Sequence, residues 1–136
     1  MKLKYEKSHG GREKYYSCKY KKDLIGDCVI RSIAIATETD YREVFEALFR
    51  IGLEIGDMPN SDPVVEQHLN SIGWYKNPPI KMPNSNKKYL LSDVPVDVEK
   101  NYIFRQAGHL VAVVKGTVYD TFDSRSSAAQ SYYTKK

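Results

Sequence analysis

The segment GHLVAVVKGTVYDTF, residues 108–122, carries the clearest β-strand signal in the chain. Two runs rich in valine and other strand-forming residues flank Lys115-Gly116, which favours two antiparallel strands joined by a two-residue turn. Side chains alternate along a strand, so this register places His109 on the same face of the hairpin as Asp120, its diagonal neighbour. A loop one residue longer or shorter would instead put Asp123 opposite the histidine. The hairpin therefore predicts a His–Asp pair, with Asp120 preferred as the acid.

The stretch GDCVIRSIAIAT, residues 26–37, predicts a helix because its apolar residues recur at helical spacing. Gly26 marks a break before it, and Asp27 is a residue type that commonly caps helix N-termini. Cys28 then lies in the first turn, where unpaired N–H groups and the positive end of the helix dipole stabilise a thiolate. The same N–H groups can stabilise an oxyanion on a bound carbonyl. The alternative is that Cys28 is a small buried residue of the core.

The flanking segments predict two more helices and further strands. One helix is expected between Asp40 and Gly56, and another over residues 63–73, which begin with proline and end with glycine. Residues 74–88 are rich in Pro, Asn and Lys and predict a long loop with at most one short strand, whereas residues 101–105 (NYIFR) predict a strand. Helices followed by an antiparallel sheet are typical of the α+β class.

Length and composition fit one domain, since the chain has 136 residues, of which 41% are hydrophobic and 28% charged. We expect residues 23–126 to form this domain. Residues 1–22 would be a basic arm rich in Tyr and Lys, and residues 127–136 a polar tail that frays unless its tyrosines dock a last strand. No apolar run suits a membrane span, and no apolar stretch follows the basic N-terminus as in a secretory signal. A cytoplasmic protein is therefore expected.

Much of the net charge of +4 lies in the basic arm, where lysines are interleaved with tyrosines. Such a composition can hold single-stranded nucleic acid, but no known binding motif accompanies it. A solvated arm, or an edge strand whose tyrosines pack on the body, is therefore favoured. Cys18 and Cys28 are expected to be free thiols. The widely separated His9, His68 and His109 lack zinc-ligand spacing, and no metal or other cofactor is expected.

A nearby base would turn Cys28 into a reactive site. His109 can accept the thiol proton and later return it to a leaving group. Asp120 would fix the tautomer of the His109 ring and stabilise the imidazolium. Phe122 would shield the His–Asp hydrogen bond from water. Each of these residues alone is more commonly structural, so the expectation depends on their occurring together.

Three short blocks of the chain resemble papain-like cysteine peptidases: residues 26–34 (GDCVIRSIA), 108–113 (GHLVAV) and 119–123 (YDTFD). A cysteine at the start of the first core helix, a histidine opening a strand and an aspartate on the next strand follow the chain order of that family. The segment DTF lies where papain has Asn-Ser-Trp, and the blocks are also similar to small uncharacterised papain-like proteins of phages and bacteria. The resemblance covers roughly residues 20–125. It implies N-terminal helices packed on a C-terminal antiparallel sheet.

The resemblance implies that Cys28 is the nucleophile, His109 the base and Asp120 the third member of a catalytic triad, with an acyl-thioester intermediate. Papain-like enzymes usually add an oxyanion-hole side chain, often Gln, a few residues before the nucleophile. This chain has Lys22 and Asp23 there. The backbone N–H of the nucleophile would then serve, with a side chain such as that of Gln106 completing the hole.

Five further residues are considered for such a site. Asp27 and Asp123 are supporting candidates, and Arg31, one helical turn after the cysteine, either faces Asp27 or is an ordinary surface charge. Gly108 and Trp74 are candidates for the substrate cleft. For Trp74, packing in the core is the preferred alternative.

The first functional hypothesis is a thiol hydrolase, such as a protease, amidase or isopeptidase, acting on a peptide or protein substrate. Acyl transfer to an amine is chemically close to it. The second hypothesis is a non-catalytic binding protein that keeps the papain-like fold, for example a phage factor that inhibits a host protein in the bacterial cytoplasm. The reactivity of Cys28 distinguishes the two. Nucleic-acid binding is a third and weaker expectation.

Overall fold

The computed structural model describes residues 2–17 and 26–136. Within them the chain forms three α-helices and a six-stranded mixed sheet, which is an α+β architecture. The helices are α1 (Cys28–Thr37), α2 (Tyr41–Ile55) and α3 (Asp62–Ser71). The strands are β1 (Lys4–Lys7), β2 (Trp74–Asn77), β3 (Asn101–Gln106), β4 (His109–Val114), β5 (Thr117–Asp120) and β6 (Tyr132–Lys135).

Side-chain caps fix the N-termini of α2 and α3. The Asp40 carboxylate accepts the first free N–H groups of α2, and the Ser61 hydroxyl accepts one from α3. Gly56 ends α2 in the left-handed conformation, at φ 74°. Helix α1 differs from its prediction, because Asp27 occupies the N-cap position without making a capping hydrogen bond. Its carboxylate is instead bonded to Arg31.

The strand order is β1-β5-β4-β3-β6-β2, with β1 parallel to β5 and all other pairs antiparallel. Residues 4–7 form an edge strand, one of the two forms expected for the basic arm, and Leu3 beside them is buried. At the other end of the chain a prediction is corrected. The expected fraying tail contains β6, which lies between β3 and β2 and buries Tyr133. The alternative in which the tail tyrosines dock a strand is the one observed.

The predicted hairpin is present with the predicted register. Val114 pairs with Thr117 across Lys115-Gly116, and both turn residues have positive φ, 49° and 82°. This is the backbone that a two-residue turn needs to match the twist of its strands. The register brings Asp120 to the end of β5 beside the start of β4.

Helix α1 packs lengthwise against β4 and joins α2 and α3 in covering one face of the sheet. A second apolar cluster, formed by strand residues together with Leu3, Leu91 and Ala129, lies apart from the helical cluster. Among the described residues, none of the helices has the length and apolar character needed to cross a lipid bilayer.

Candidate active site

The site lies where α1 and β4 both begin. Cys28 is the first residue of α1 and His109 the first residue of β4. Because the helix packs along the strand, the Cys28 thiol and the His109 imidazole come close enough to shift each other's pKa. The backbone N–H of Leu110 is a further group that favours the thiolate. Cys28 is a free thiol and is only partly buried.

Asp120 holds the far side of the imidazole. The His109 Nε2 atom lies 2.6 Å from Asp120 Oδ2, so Nδ1 is the ring nitrogen left for the thiol. Asp120 is 2% exposed, whereas Asp123 is exposed and pairs with Arg125. The geometry therefore joins His109 to Asp120, the acid that the hairpin register favours.

Other donors saturate the Asp120 carboxylate. Oδ1 accepts the backbone N–H of Thr121 at 2.8 Å and an N–H of Arg31 at 3.1 Å. Oδ2 accepts the hydroxyl of Ser124 at 2.8 Å in addition to the bond with His109. A buried carboxylate with this many donors is held in its ionised form and in one orientation.

Arg31 also reaches a second buried carboxylate. Its Nη1 is bonded to Asp27, one turn earlier in α1, and Asp27 accepts the hydroxyl of Tyr41 at 2.7 Å. Arg12, from the N-terminal segment, donates to the same hydroxyl at 3.0 Å. A continuous polar network thus extends from Asp120 through α1 to α2 and the N-terminal segment. Arg31 faces Asp27, as in one of its two sequence interpretations, and is not a surface charge.

The charges favour a thiolate paired with an imidazolium. Burial by itself raises the pKa of Cys28, but the His109 hydrogen bond, the Leu110 N–H and the positive charges of His109 and Arg31 lower it below the usual value. Burial likewise lowers the pKa of His109, but the hydrogen bonds and charges of Asp120 and Cys28 raise it to about 9. The pKa of Asp120 is lowered against the effect of burial, chiefly by the hydrogen bond with His109.

Phe122 lies beside the imidazole, with the ring centroids of Phe122 and His109 5.2 Å apart. Its side chain is half exposed, so it covers one side of the His–Asp pair and keeps its other surface open to solvent. Gly108 precedes His109 in the exposed turn between β3 and β4, at φ 63°. A side chain there would be strained by the backbone, although it would meet no described atom within 4 Å.

Two expected roles are not found at their predicted places. The Gln106 amide donates to the backbone carbonyls of Ser124 and Ser127, at 2.8 and 3.3 Å, so both its N–H groups are used in fixing the loop after β5 and not in an oxyanion hole. Trp74 is buried in the core on β2, separated from β4 by two strands, and contacts the groove at the C-terminal end of α1. It therefore does not wall a cleft beside Cys28.

The oxyanion donor that the structure does offer is the backbone N–H of Cys28, in the unpaired first turn of α1. Lys22 and Asp23, which occupy the usual side-chain donor positions, lie outside the described residues, as does Cys18. Within residues 2–17 and 26–136, no group of three or more His, Cys, Asp or Glu side chains is arranged to hold a metal ion.

Sequence reasoning did not identify Ser124 or Tyr41 as part of the site. Tyr41 has the spacing of an apolar core residue of α2, and nothing in the local sequence of Ser124 indicates that its hydroxyl meets Asp120. The bond between Arg31 and Asp27 could be predicted, because an arginine four residues after an aspartate can bond it along a helix. The bond between Arg31 and Asp120 on β5 is a tertiary contact that the local sequence does not indicate.

Comparison of the chain with protein-family models, with curated proteins and with solved structures gave no match.

Proposed function

We propose that this protein is a cysteine hydrolase of the papain-like type, cleaving an amide or isopeptide bond with Cys28, His109 and Asp120. One observation carries the proposal: a thiol at the N-terminus of a helix lies beside an imidazole that is hydrogen-bonded to a buried carboxylate. Nucleophile, base and orienting acid in hydrogen-bond contact are the arrangement that covalent acyl transfer requires.

In the proposed reaction the Cys28 thiolate attacks the substrate carbonyl carbon, and the carbonyl π electrons move to oxygen. The N–H of Cys28 stabilises that oxyanion. As the C–N bond breaks, the His109 imidazolium gives its Nδ1 proton to the leaving amine, leaving an acyl-thioester. His109 then takes a proton from water, whose oxygen attacks the thioester, and the departing thiolate regains the protonated imidazole as its partner. Asp120 stays ionised throughout and keeps Nδ1 directed at the sulfur.

The proposed substrate is a peptide or protein. Acyl transfer would follow if an amine replaced water in the second step. A cytoplasmic location belongs to the same proposal, and it is supported by the free thiol that the mechanism needs.

The test combines thiol reactivity with hydrolysis. Purified protein is treated with iodoacetamide at pH 6, the modified cysteine is located by peptide mass spectrometry, and cleavage of fluorogenic peptide and isopeptide substrates is measured in parallel. We expect Cys28 to react far faster than a free thiol, and Cys28→Ala to abolish cleavage while retaining the parental circular dichroism spectrum. Cys18→Ala is the matched control and should retain both properties.

Ordinary reactivity of Cys28 at pH 6 would contradict the proposal. In that case, activity of Cys28→Ala in a biological assay would favour the non-catalytic binding protein.

A further inference from the structure

Arg31 bridges two buried carboxylates, that of Asp27 before α1 and that of Asp120 at the end of β5. One guanidinium nitrogen, Nη2, is 3.1 Å from Asp120 Oδ1, and the other, Nη1, is bonded to Asp27. All three side chains are nearly inaccessible, with relative exposures of 5% for Arg31, 6% for Asp27 and 2% for Asp120. A planar guanidinium can hold two carboxylates in fixed directions, which a single ammonium group cannot do.

We propose that Arg31 is a positioning residue of the Cys28–His109–Asp120 site, holding the Asp120 carboxylate against His109 through a guanidinium bridge anchored on Asp27. The inference rests on the proposed function, because it assigns Arg31 a part in activating that thiol. Arg31 itself acts through Asp120 and through its charge.

The bridge fixes which oxygen of Asp120 meets the imidazole. Oδ1 is occupied by Arg31 and the Thr121 N–H, which leaves Oδ2 for His109 and Ser124. Without the guanidinium the carboxylate loses one of the two contacts that hold Oδ1. It can then rotate away from the line of the His109 hydrogen bond.

Anchoring on Asp27 makes the bridge rigid. Asp27 is itself held by the hydroxyl of Tyr41, which also accepts from Arg12. Gly10 closes over the backbone of Arg31, and a Cβ atom at Gly10 would lie only 3.0 Å from Arg31 Cα. The Arg31 guanidinium is therefore held by Asp27 and by Asp120, and Gly10 confines the Arg31 backbone.

The charge arrangement points the same way. The charged groups acting on Cys28 are His109 from β4 and Arg31 from its own helix, and both favour the thiolate. The charged groups bonded to Asp120 are again His109 and Arg31. Removing Arg31 takes a positive charge from the thiolate and leaves Asp120 with a buried charge that is less fully paired.

The experiment measures the rate of Cys28 alkylation by iodoacetamide against pH, from pH 4 to 10, in parent, Arg31→Gln, Arg31→Lys and a control. The control is Arg42→Gln, which removes an exposed arginine bonded to Glu46 four residues away. We expect Arg31→Gln to move the rising limb of the rate profile to higher pH by about one unit, so that the rate on that limb falls about tenfold. The rate at pH 10, where the thiolate is fully formed in every variant, should not change.

Arg31→Lys keeps the positive charge, but a lysine ammonium group contacts only one carboxylate at a time. The pH profile of Cys28 alkylation in Arg31→Lys should therefore lie between those of the parent and Arg31→Gln, or coincide with that of Arg31→Gln. A parental profile for Arg31→Lys would overturn the positioning role, since charge alone would then suffice. A parental profile for folded Arg31→Gln would overturn it as well. If Arg31→Gln does not fold, Arg31→Lys decides the question alone.

A residue that only stabilises the fold would lower the melting temperature without moving the pH profile of the native protein. The outcomes also separate the two proposals. If parental Cys28 shows the pH dependence of a free thiol, the hydrolase proposal fails. If parental Cys28 is activated and the Arg31 variants do not alter it, only the positioning role fails.

Discussion

At the scale of single residues, the site is defined by the two ring nitrogens of His109, one facing Asp120 and the other facing Cys28. His109 is placed between a thiol and a carboxylate, with Nε2 committed to Asp120. The ring can therefore exchange a proton with Cys28 only through Nδ1. The ionised, hydrogen-bonded Asp120 stabilises the imidazolium, and the imidazolium in turn stabilises the thiolate. These three side chains have to be considered as one unit in any substitution experiment.

The pKa shifts predict the pH range of the proposed hydrolysis. The proposed reaction needs a thiolate, so the rate should rise with pH through the pKa of Cys28, which lies below the usual value for a thiol. It also needs an imidazolium to protonate the leaving amine, so the rate should fall again as pH passes the His109 pKa of about 9. Measuring kcat/KM from pH 4 to 10 should give a bell-shaped profile.

His109→Gln provides the comparison for that profile. It removes both the proton donor and the charge that favours the thiolate, so cleavage should be lost and alkylation of Cys28 at pH 6 should slow. A cleavage rate that keeps rising above pH 9 in the parent would contradict the assignment of His109 as the acid.

The first-turn position of Cys28 and the pairing of His109 with Asp120 could be predicted from sequence because each depends on local rules. The approach of Cys28 to His109 depends instead on the packing of α1 along β4. Helical spacing after Gly26 places Cys28 in a first turn, and the length of the Lys115-Gly116 turn fixes which aspartate meets His109. The actual role of Gln106 could not be predicted from sequence, because its amide donates to a backbone carbonyl 18 residues away. The bond from Arg31 to Asp120 spans 89 residues and has no local signal.

At the scale of elements, the hairpin of β4 and β5 sets the geometry of the His–Asp pair. Its turn is closed by Lys115 at φ 49° and Gly116 at φ 82°. The left-handed conformation costs a lysine about 1 kcal/mol, whereas asparagine tolerates it. The turn is thus a place where the sequence is not optimal for the backbone that it adopts.

Lys115→Asn should therefore stabilise the protein. We expect an increase of about 0.5 kcal/mol in the free energy of unfolding, because the native conformation is kept and the strain is reduced. Urea denaturation followed by circular dichroism measures it. Lys100→Asn removes the same charge from an exposed position without positive φ, and it should give no comparable gain. A loss of stability in Lys115→Asn relative to Lys100→Asn would rule this explanation out.

The elements at the two ends of the described chain show where sequence patterns are insufficient. Strand β1 has the sequence KYEK, which is largely polar because it lies at the sheet edge, and its partner β5 is distant in sequence. Strand β6, YYTK, has no strict apolar alternation, and its burial is decided by neighbouring strands. Helices α2 and α3 were predictable because their caps and apolar faces are encoded within each segment, and α1 was predictable from its apolar face alone.

At the scale of the whole molecule, β6 joins the two parts of the sheet. It lies between β3, which pairs with the hairpin, and β2, which continues from α3. Tyr133 in this strand is 2% exposed and belongs to the cluster that the helices cover. Strand β6, in the tail that was expected to fray, therefore contributes a buried residue to the core that the helices cover.

Tyr133→Ala should destabilise the whole domain. Loss of a buried aromatic ring from the core typically costs about 3–5 kcal/mol, and we expect a value near the lower end of that range. Tyr75→Ala on neighbouring β2 is the matched control, since it removes the same side chain from a strand at a position 40% exposed. It should cost less than about 1 kcal/mol. Equal losses for the two variants would show that Tyr133 does not anchor the core.

The pairing of β1 with β5 has a consequence for folding kinetics. Lys4 lies opposite Thr117, 113 residues along the chain, and Ser8 donates its N–H to the carbonyl of Asp120 at 2.9 Å. Contacts between such distant residues form slowly, because a large loop must close before they contribute any free energy. During refolding the helices should therefore appear first, and the Asp120 backbone should become fixed late. Rapid alkylation of Cys28 at pH 6 should lag behind the recovery of helical signal, so that thiol reactivity reports completion of the native topology.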